Sequence, residues 1–296
     1  PENGRARLRD MIANRPDWCI SRQRSWGVPV PFFIHQDSGE LHPRTLEILD
    51  QAAAIVEKGG IEAWSRVTVE DILTQPGDDA THYTKSTDIL EVWFDSGSTF
   101  WHVLRGSHAK AYPNGDFHAE GPEADLYLEG HDQHRGWFHS SLLVGVGTRG
   151  RAPFNEVLTH GFVMDEHGRK MSKSLGNTTA PQDVIKQSGA EVLRLWVSMV
   201  DYRYDINIGK EVLSRAVESY RKIRNVIRVL VANLYDFDPK DDTVPKARML
   251  EIDRWALAKY ADAAAKIVKA YEDYDYPAIF QAANHLITVD LSAFYV

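Results

Sequence analysis

The ten residues "GRKMSKSLGN", Gly168 to Asn177, carry three cations and a glycine near each end. Lys170 and Lys173 are long enough to swing ammonium groups onto a polyphosphate, and glycines let such a loop move. Cations held there would stabilise the charge that develops as a phosphoryl group is attacked. The same composition also suits a solvated hairpin tip, so the string alone leaves both readings open. A second candidate is "LYLEGHDQHRGWF", in which Glu129 and Asp132 stand at the end of an apolar run. Carboxylates at a strand end grip ribose hydroxyls in nucleotide-binding sheets, and Gly130 would let a ligand approach the backbone. Asp132 equally suits an ordinary helix N-cap. His131 and His134 hint at a metal, but their spacing fits a helical face poorly and no cysteine stands near them.

Trp93 in "EVWFDSG" and Trp137 in "RGWF" are the third signal, because two indoles can wall a small apolar pocket. Taken singly, each is also a reasonable core residue. Finally, "RKIRNVIR" distributes Arg221, Lys222, Arg224 and Arg228 around one helix. That is either a solvated face or a set of phosphate contacts for a folded RNA, with the salt dependence such contacts bring.

These residues need elements to position them. "DWCISRQRSWGVPVPFFI" alternates as an extended segment does. "RTLEILDQAAAIVEKGG" reads as a helix ended by its glycine pair, inside a polar stretch, residues 37–88, that suits a peripheral insertion. "ILEVWFDSG" reads as a buried strand opening into a loop, and "ADLYLEG" and "NEVLTHGFVMD" as further strands. "DQHRGWFHSSLLVGVG" and "PQDVIKQSGAEVLRLWVSMV" have helical spacing, the second with Pro181 just inside its start. Strand, helix, strand, helix at this rhythm predicts a parallel, doubly wound sheet. After about residue 209 the strands stop. Three amphipathic segments follow, the first with Leu213, Val217, Tyr220, Ile223, Ile227, Leu230 and Leu234 on one stripe, and they predict a helical bundle.

Bulk properties limit what this assembly does. The 296 residues are 43% hydrophobic and 26% charged, enough for a sizeable core and about two domains. Net charge is −8, which argues against indiscriminate coating of nucleic acid but permits a local basic surface. The single cysteine, Cys19, excludes an internal disulfide and a cysteine-rich zinc site. No apolar run approaches the length of a membrane span and the N-terminus has no signal-peptide pattern, so a cytoplasmic setting without membrane partners is expected. The sequence opens on Pro1 and ends on "LSAFYV" within an apolar helical pattern, which suggests a piece of something longer.

Taken together, the strings resemble a known family. "KMSKS", comprising Lys170, Met171, Ser172, Lys173 and Ser174, is similar to the second signature of class I aminoacyl-tRNA synthetases. "DWCISRQRSWGVPVP", "ILEVWFDSG", "LYLEGHDQHRGWFHSSL" and "LTHGFVMDEHGRKMSKSLGN" resemble, in that order, the bacterial-type isoleucyl branch, and the match runs along the whole chain. The resemblance implies an α/β fold: the C-terminal half of a Rossmann-type parallel-sheet catalytic domain over residues 1–209, then the start of a helical anticodon-binding domain over 210–296. Residues from about 176 to 209 would connect the two.

It also implies the chemistry, which is activation of isoleucine by ATP to isoleucyl-adenylate and transfer to the 3′ end of tRNA(Ile). By position, Lys173 would be the mobile lysine on the ATP phosphates, with Lys170 assisting. Glu129, Gly130 and Asp132 would contact the adenylate and its ribose, and Gln133 would lie near the amino acid's ammonium group. Trp93 and Trp137 would wall the side-chain pocket, while His160 and Gly161 would lie near the adenine. Magnesium would arrive with ATP, no protein-bound zinc is expected, and the full-length enzyme would be a monomer.

Departures from the family pattern matter as well. The first signature, His-Ile-Gly-His, and the editing insertion are not in this sequence, His131 stands where serine is usual, and "ILEVWFDSG" replaces "VLDVWFDSG". The expectation is therefore a synthetase piece with an incomplete catalytic centre and no activity by itself. Two alternatives are a non-catalytic tRNA-interacting module built on the same scaffold, and an unrelated nucleotidyl-transferring α/β enzyme. The second leaves the tryptophan strings and the bundle unexplained.

Overall fold

The computed structural model describes residues 2–104 and 124–296. The chain forms two compact units, Pro1–Thr159 and His160–Val296.

The first unit begins with helix α1 (Glu2–Ala13), followed by the extended segment that the alternating sequence predicts. Two short antiparallel pairs lie along it: β1 (Ser21–Arg22) and β2 (Phe33–His35) join β4 (Ile89–Leu90) and β3 (Tyr83–Lys85) respectively. Between β2 and β3 run α2 (Thr45–Arg66) and α3 (Val69–Ile72). Thr68 caps α3 reciprocally with Asp71, each satisfying the other's free backbone amide. Phe33, Ile48, Ala52, Trp64, Ile72 and Leu73 make a continuous core here, built largely from the 37–88 stretch. The glycine pair interrupts α2 without ending it. Gly60 leaves helical geometry at φ 74°, ψ −178°, and the helix then resumes to Arg66.

"ILEVWFDSG" departs from its predicted form. Only Ile89–Leu90 is strand; Glu91 is the last extended residue, and α4 (Val92–Gly97) and α5 (Thr99–His102) follow at once. Local bonds favour the turn over continued extension, with Ser96 Oγ donating to the Val92 carbonyl and Ser98 N to that of Phe94. Next come β5 (Ala124–Gly130), a 3₁₀ turn (His131–Arg135), α6 (Trp137–Arg149) and β6 (Phe154–His160), with β5 and β6 paired across the intervening helix. α4 packs against α6 at Gly97, where an added Cβ would stand 2.8 Å from the Ser140 backbone.

In the second unit β7 (Val163–Met164) pairs in parallel with β8 (Ile206–Asn207). The predicted single helix from Pro181 is two, α7 (Pro181–Ser188) and α8 (Ala190–Met199), because Gly189 sits at φ 88° and ψ 155° between them. Pro181 occupies the first turn as its sequence position predicts. Helices α9 (Lys210–Ala232), α10 (Glu251–Glu272) and α11 (Tyr276–His285), closed by a π-helical turn (Leu286–Tyr295), form the expected bundle. Val192 and Trp196 on α8, Ile208 after β8 and Ala216 on α9 make the core that joins α8, the β8 region and the first bundle helix.

The α/β class with a helical C-terminal region therefore stands. Among the described residues the strands make four two-stranded sheets, where the sequence rhythm predicts one continuous sheet. Six of the eight strands named above run only two or three residues, too short to build a wide ladder. Among the described residues no helix is long and apolar enough to cross a membrane.

Candidate functional site

The first unit gathers several predicted residues around the end of β5. The strand delivers Glu129 and Gly130, and the 3₁₀ turn that follows carries His131, Asp132 and Gln133. Glu129 and Asp132 are both exposed at this mouth. Asp132 does not cap α6. Its Oδ2 instead accepts from Gln133 Nε2 at 3.0 Å, while Gln133 Oε1 accepts from the Trp137 backbone amide at 2.9 Å. Gln133 is thus held at both ends of its amide, which fixes its direction.

Gly136 makes the next convergence possible. A Cβ there would stand 2.6 Å from Gln133 Oε1 and 3.2 Å from the edge of the Trp93 ring, so no other residue fits without displacing one of them. Trp93 on α4 and Trp137 on α6 therefore come to the same corner as Gln133. Their settings differ. Trp93 is 43% exposed, whereas Trp137 stacks on Tyr127 at 4.1 Å and donates its indole N–H to the Ser96 carbonyl (3.0 Å) and Thr99 Oγ1 (3.2 Å). Trp137 is fixed in place and Trp93 is partly open to solvent. Nearby on α4, burial pushes the Asp95 carboxyl upward, with the Glu91 charge adding to the effect. Among the described residues no group of three or more His, Cys, Asp or Glu side chains is arranged to hold a metal ion.

The second unit holds the lysine loop, and a buried acid organises it. Asp165 is 6% exposed. Its Oδ1 accepts from the amides of His167 (2.9 Å) and Arg169 (2.8 Å), and its Oδ2 from Arg169 Nε (2.8 Å) and Asn177 Nδ2 (2.9 Å). The Asn177 side-chain bond and the Arg169 amide hold the Asp165 carboxyl well below the ordinary carboxylate range. Asn177 also ties the loop's far side, accepting from Ser172 N at 2.9 Å. Ser172 and Ser174 share a hydroxyl contact at 3.1 Å, and Leu175 N donates to Ser172 Oγ. Met171, the loop's apolar residue, packs on the Val192–Trp196 core.

Of the three loop cations, then, Arg169 is neutralised by Asp165. Lys170 Nζ lies 5.6 Å from the centre of the Phe162 ring. Among the described residues neither Lys170 nor Lys173 makes an ion pair, and both are exposed. The loop is therefore a framed hairpin that presents two free ammonium groups. Gly168 at φ 74° and Gly176 at φ 61° make its turns.

His160 and Gly161 lie where β6 ends. His160 Nδ1 donates to the Gly161 carbonyl at 2.7 Å. A Cβ on Gly161 would fall 2.2 Å from the Tyr204 carbonyl group, so the glycine is required by the chain crossing it. Of the predicted basic stripe, Arg221, Lys222, Arg224 and Arg228 are all exposed on α9.

The model of the family described as class I tRNA synthetases (I, L, M and V) matches residues 1–209. The chain belongs to the class I tRNA synthetase family. Among curated proteins it is similar to the isoleucine–tRNA ligase of Stutzerimonas stutzeri (strain A1501), 52% identical over all of this chain and 30% of that one. It is likewise similar to that of Azoarcus sp. (strain BH72), 54% identical over all of this chain and 31% of the relative. The chain thus spans about a third of the length of these two relatives, 30% and 31%. Among solved structures, the LeuRS of Agrobacterium radiobacter K84, in ternary complex with tRNA and LeuAMS, superposes with a TM-score of 0.66 at 21% identity, over 94% of this chain and 36% of that one. The methionyl-tRNA synthetase of Mycobacterium tuberculosis bound by methionyl-adenylate gives 0.63 at 16% identity, over 100% and 47%. These two share the class I synthetase fold.

Within this synthetase chain, the residues that sequence reasoning passed over are the ones that hold others in place. Asp165 and Asn177 bracket the lysine loop. Both belong to the string that carries the resemblance, and an acid three residues before a glycine is a turn signal that could have marked the first. Gly136 had no such signal, since its role depends on two side chains from elsewhere.

Proposed function

We propose that this chain is the part of an isoleucine–tRNA ligase that carries its second signature loop and amino-acid corner. The reaction joins isoleucine and ATP into isoleucyl-adenylate with release of pyrophosphate, then passes the aminoacyl group to tRNA(Ile). The observation that carries this reading is identity above 50% along the whole chain to two isoleucine–tRNA ligases. The two unpaired lysines in a framed loop support it independently.

In this reading Lys173 binds the ATP phosphates and Lys170 assists. Leaving them without acidic partners avoids having to break an ion pair before the triphosphate can be engaged. Glu129, Gly130 and Asp132 take the adenylate and its ribose, with His160 and Gly161 near the adenine. Gln133, oriented from both ends, receives the amino acid's ammonium group, and Trp93 and Trp137 flank its side chain. Magnesium comes bound to ATP and supplies charge neutralisation on the phosphates. Residues 210–296 begin the helical anticodon-binding domain, and the full-length protein works as a cytoplasmic monomer.

The test is isoleucine-dependent ATP–pyrophosphate exchange by the full-length enzyme, with valine and leucine as competitors. Isoleucine should give the highest kcat/KM. Lys173→Ala should lower kcat on the order of 10²–10³-fold, the usual effect of removing one charge-stabilising group. Exchange that prefers another amino acid, or that is unchanged by the substitution, refutes the reading.

A further inference from the structure

A cleft of about 730 Å³ opens in the first unit, lined by none of the residues assigned above, between α1 with its following segment and the 3₁₀ turn leading into α6. Arg7, Arg15, Arg135 and His139 line it, opposed by Asp10 and Asp17. α1 reaches the turn through a small residue, Gly4, whose added Cβ would stand 3.3 Å from His134 Nε2.

The charge inside is unbalanced. Asp10 is already bound by Arg9 at 3.2 Å, and among the described residues the side chains of Arg7, Arg135 and Asp17 make no ion pair or hydrogen bond. Arg15 is committed differently. Its guanidinium lies 5.2 Å from the Trp18 ring centre and donates to His139 Nδ1 at 3.1 Å.

That last bond decides the state of the imidazole. Arginine has no acceptor, so Nδ1 must accept, and the ring's one proton sits on Nε2. Burial holds the His139 pKa down, and the charges of Arg15 and Arg135 add to it, so the ring stays neutral. His139 is 4% exposed, and its Nε2 is buried with no hydrogen-bond partner in the protein. A neutral imidazole adds no charge of its own, so the guanidinium groups that lack anions leave a net positive cleft, the arrangement an anion completes.

We propose that this cleft binds phosphate groups, with Arg7 and Arg135 as the primary contacts and Arg15, fixed by His139 and Trp18, as a rigid third. Planar guanidinium forks match phosphate oxygens in pairs. The volume exceeds what a single carboxylate needs, and the exposed rim admits a chain. The choice of phosphate over carboxylate rests on the synthetase reading, whose substrates are phosphate-bearing. Two of them could supply the group: the backbone of the RNA and free pyrophosphate.

The experiment uses the full-length enzyme and the double variant Arg7→Gln/Arg135→Gln. A charge-matched control, Arg194→Gln/Arg215→Gln, removes two exposed arginines of the second unit that already have acidic partners. Binding of a short single-stranded RNA is measured by fluorescence anisotropy across a salt series, and binding of inorganic pyrophosphate by calorimetry. If the RNA backbone occupies the cleft, the double variant weakens RNA about tenfold or more at fixed salt. The slope of log affinity against log salt also shrinks by roughly 0.7 for each arginine removed, while the control is unchanged. If pyrophosphate occupies it, only the calorimetric affinity falls. Unchanged binding of both probes, or an equal loss in the control, overturns the proposal. Isoleucine-dependent exchange by the wild-type enzyme separates this failure from failure of the synthetase reading.

Discussion

At the scale of single residues, the lysine loop depends on one carboxylate. Asp165 accepts four hydrogen bonds from the loop's backbone and side chains, and those bonds are strongest when it is ionised. Its folded-state pKa lies below the unfolded value, so its contribution is fully present at neutral pH and down to the unfolded value of about 4. The contribution is lost as the pH falls further, through the folded value. Asp165→Asn should therefore lower the unfolding midpoint most at pH 7, and the gap to wild type should close as the pH drops below about 4. Thermal unfolding of both proteins over that range measures it; a gap independent of pH would show that shape, and not charge, holds the loop. Asn177→Ala, which cuts the link to Asp165 and the bond from Ser172, should leave Lys173 in place but raise hydrogen exchange at the amides of Ser172 and Leu175.

At the scale of elements, glycines mark the places where the chain allows no side chain, for two distinct reasons. Gly161→Ala would drive a Cβ into the Tyr204 carbonyl, and overpacking of this kind costs roughly 1–3 kcal/mol. Gly168→Ala meets nothing within 4 Å but must hold φ near 74°, which costs about 1 kcal/mol. Denaturant midpoints should separate them: a Gly168→Asn variant, tolerant of that φ, recovers most of the loss, whereas Gly161→Asn recovers none. The same contrast explains what the sequence made legible. α9, α10 and α11 were readable because helical periodicity is a local property, and Pro181 marked the start of α7 for the same reason. "VWFDSG" was misread as strand and loop because its aromatic residues favour extension, while the turn that forms is fixed by serine bonds and by packing on α6. The two tryptophans drew notice as possible pocket residues by type, and Gln133 was named from resemblance alone. That they share a corner with Gly136 between them follows only from the fold, since α4 and α6 are distant in sequence.

At the scale of the whole molecule, the chain matches isoleucine–tRNA ligases end to end yet spans only 30% or 31% of their length. Adenylate formation depends on several electrostatic groups acting on one phosphoryl centre, and such groups act as a unit, with losses that do not add simply. In the proposed reading the lysine loop supplies one part of that unit, and the family's other signature is not in this sequence. The 296-residue polypeptide by itself is therefore expected to show no isoleucine-dependent ATP–pyrophosphate exchange above background, even where it is folded and its loop is intact. The full-length enzyme under the same conditions should exchange readily. Circular dichroism with the helical content of α9 to α11 establishes folding in the inactive sample, so that absence of exchange reports missing chemistry. Robust exchange from the purified chain would mean that its own residues complete the phosphate-binding machinery.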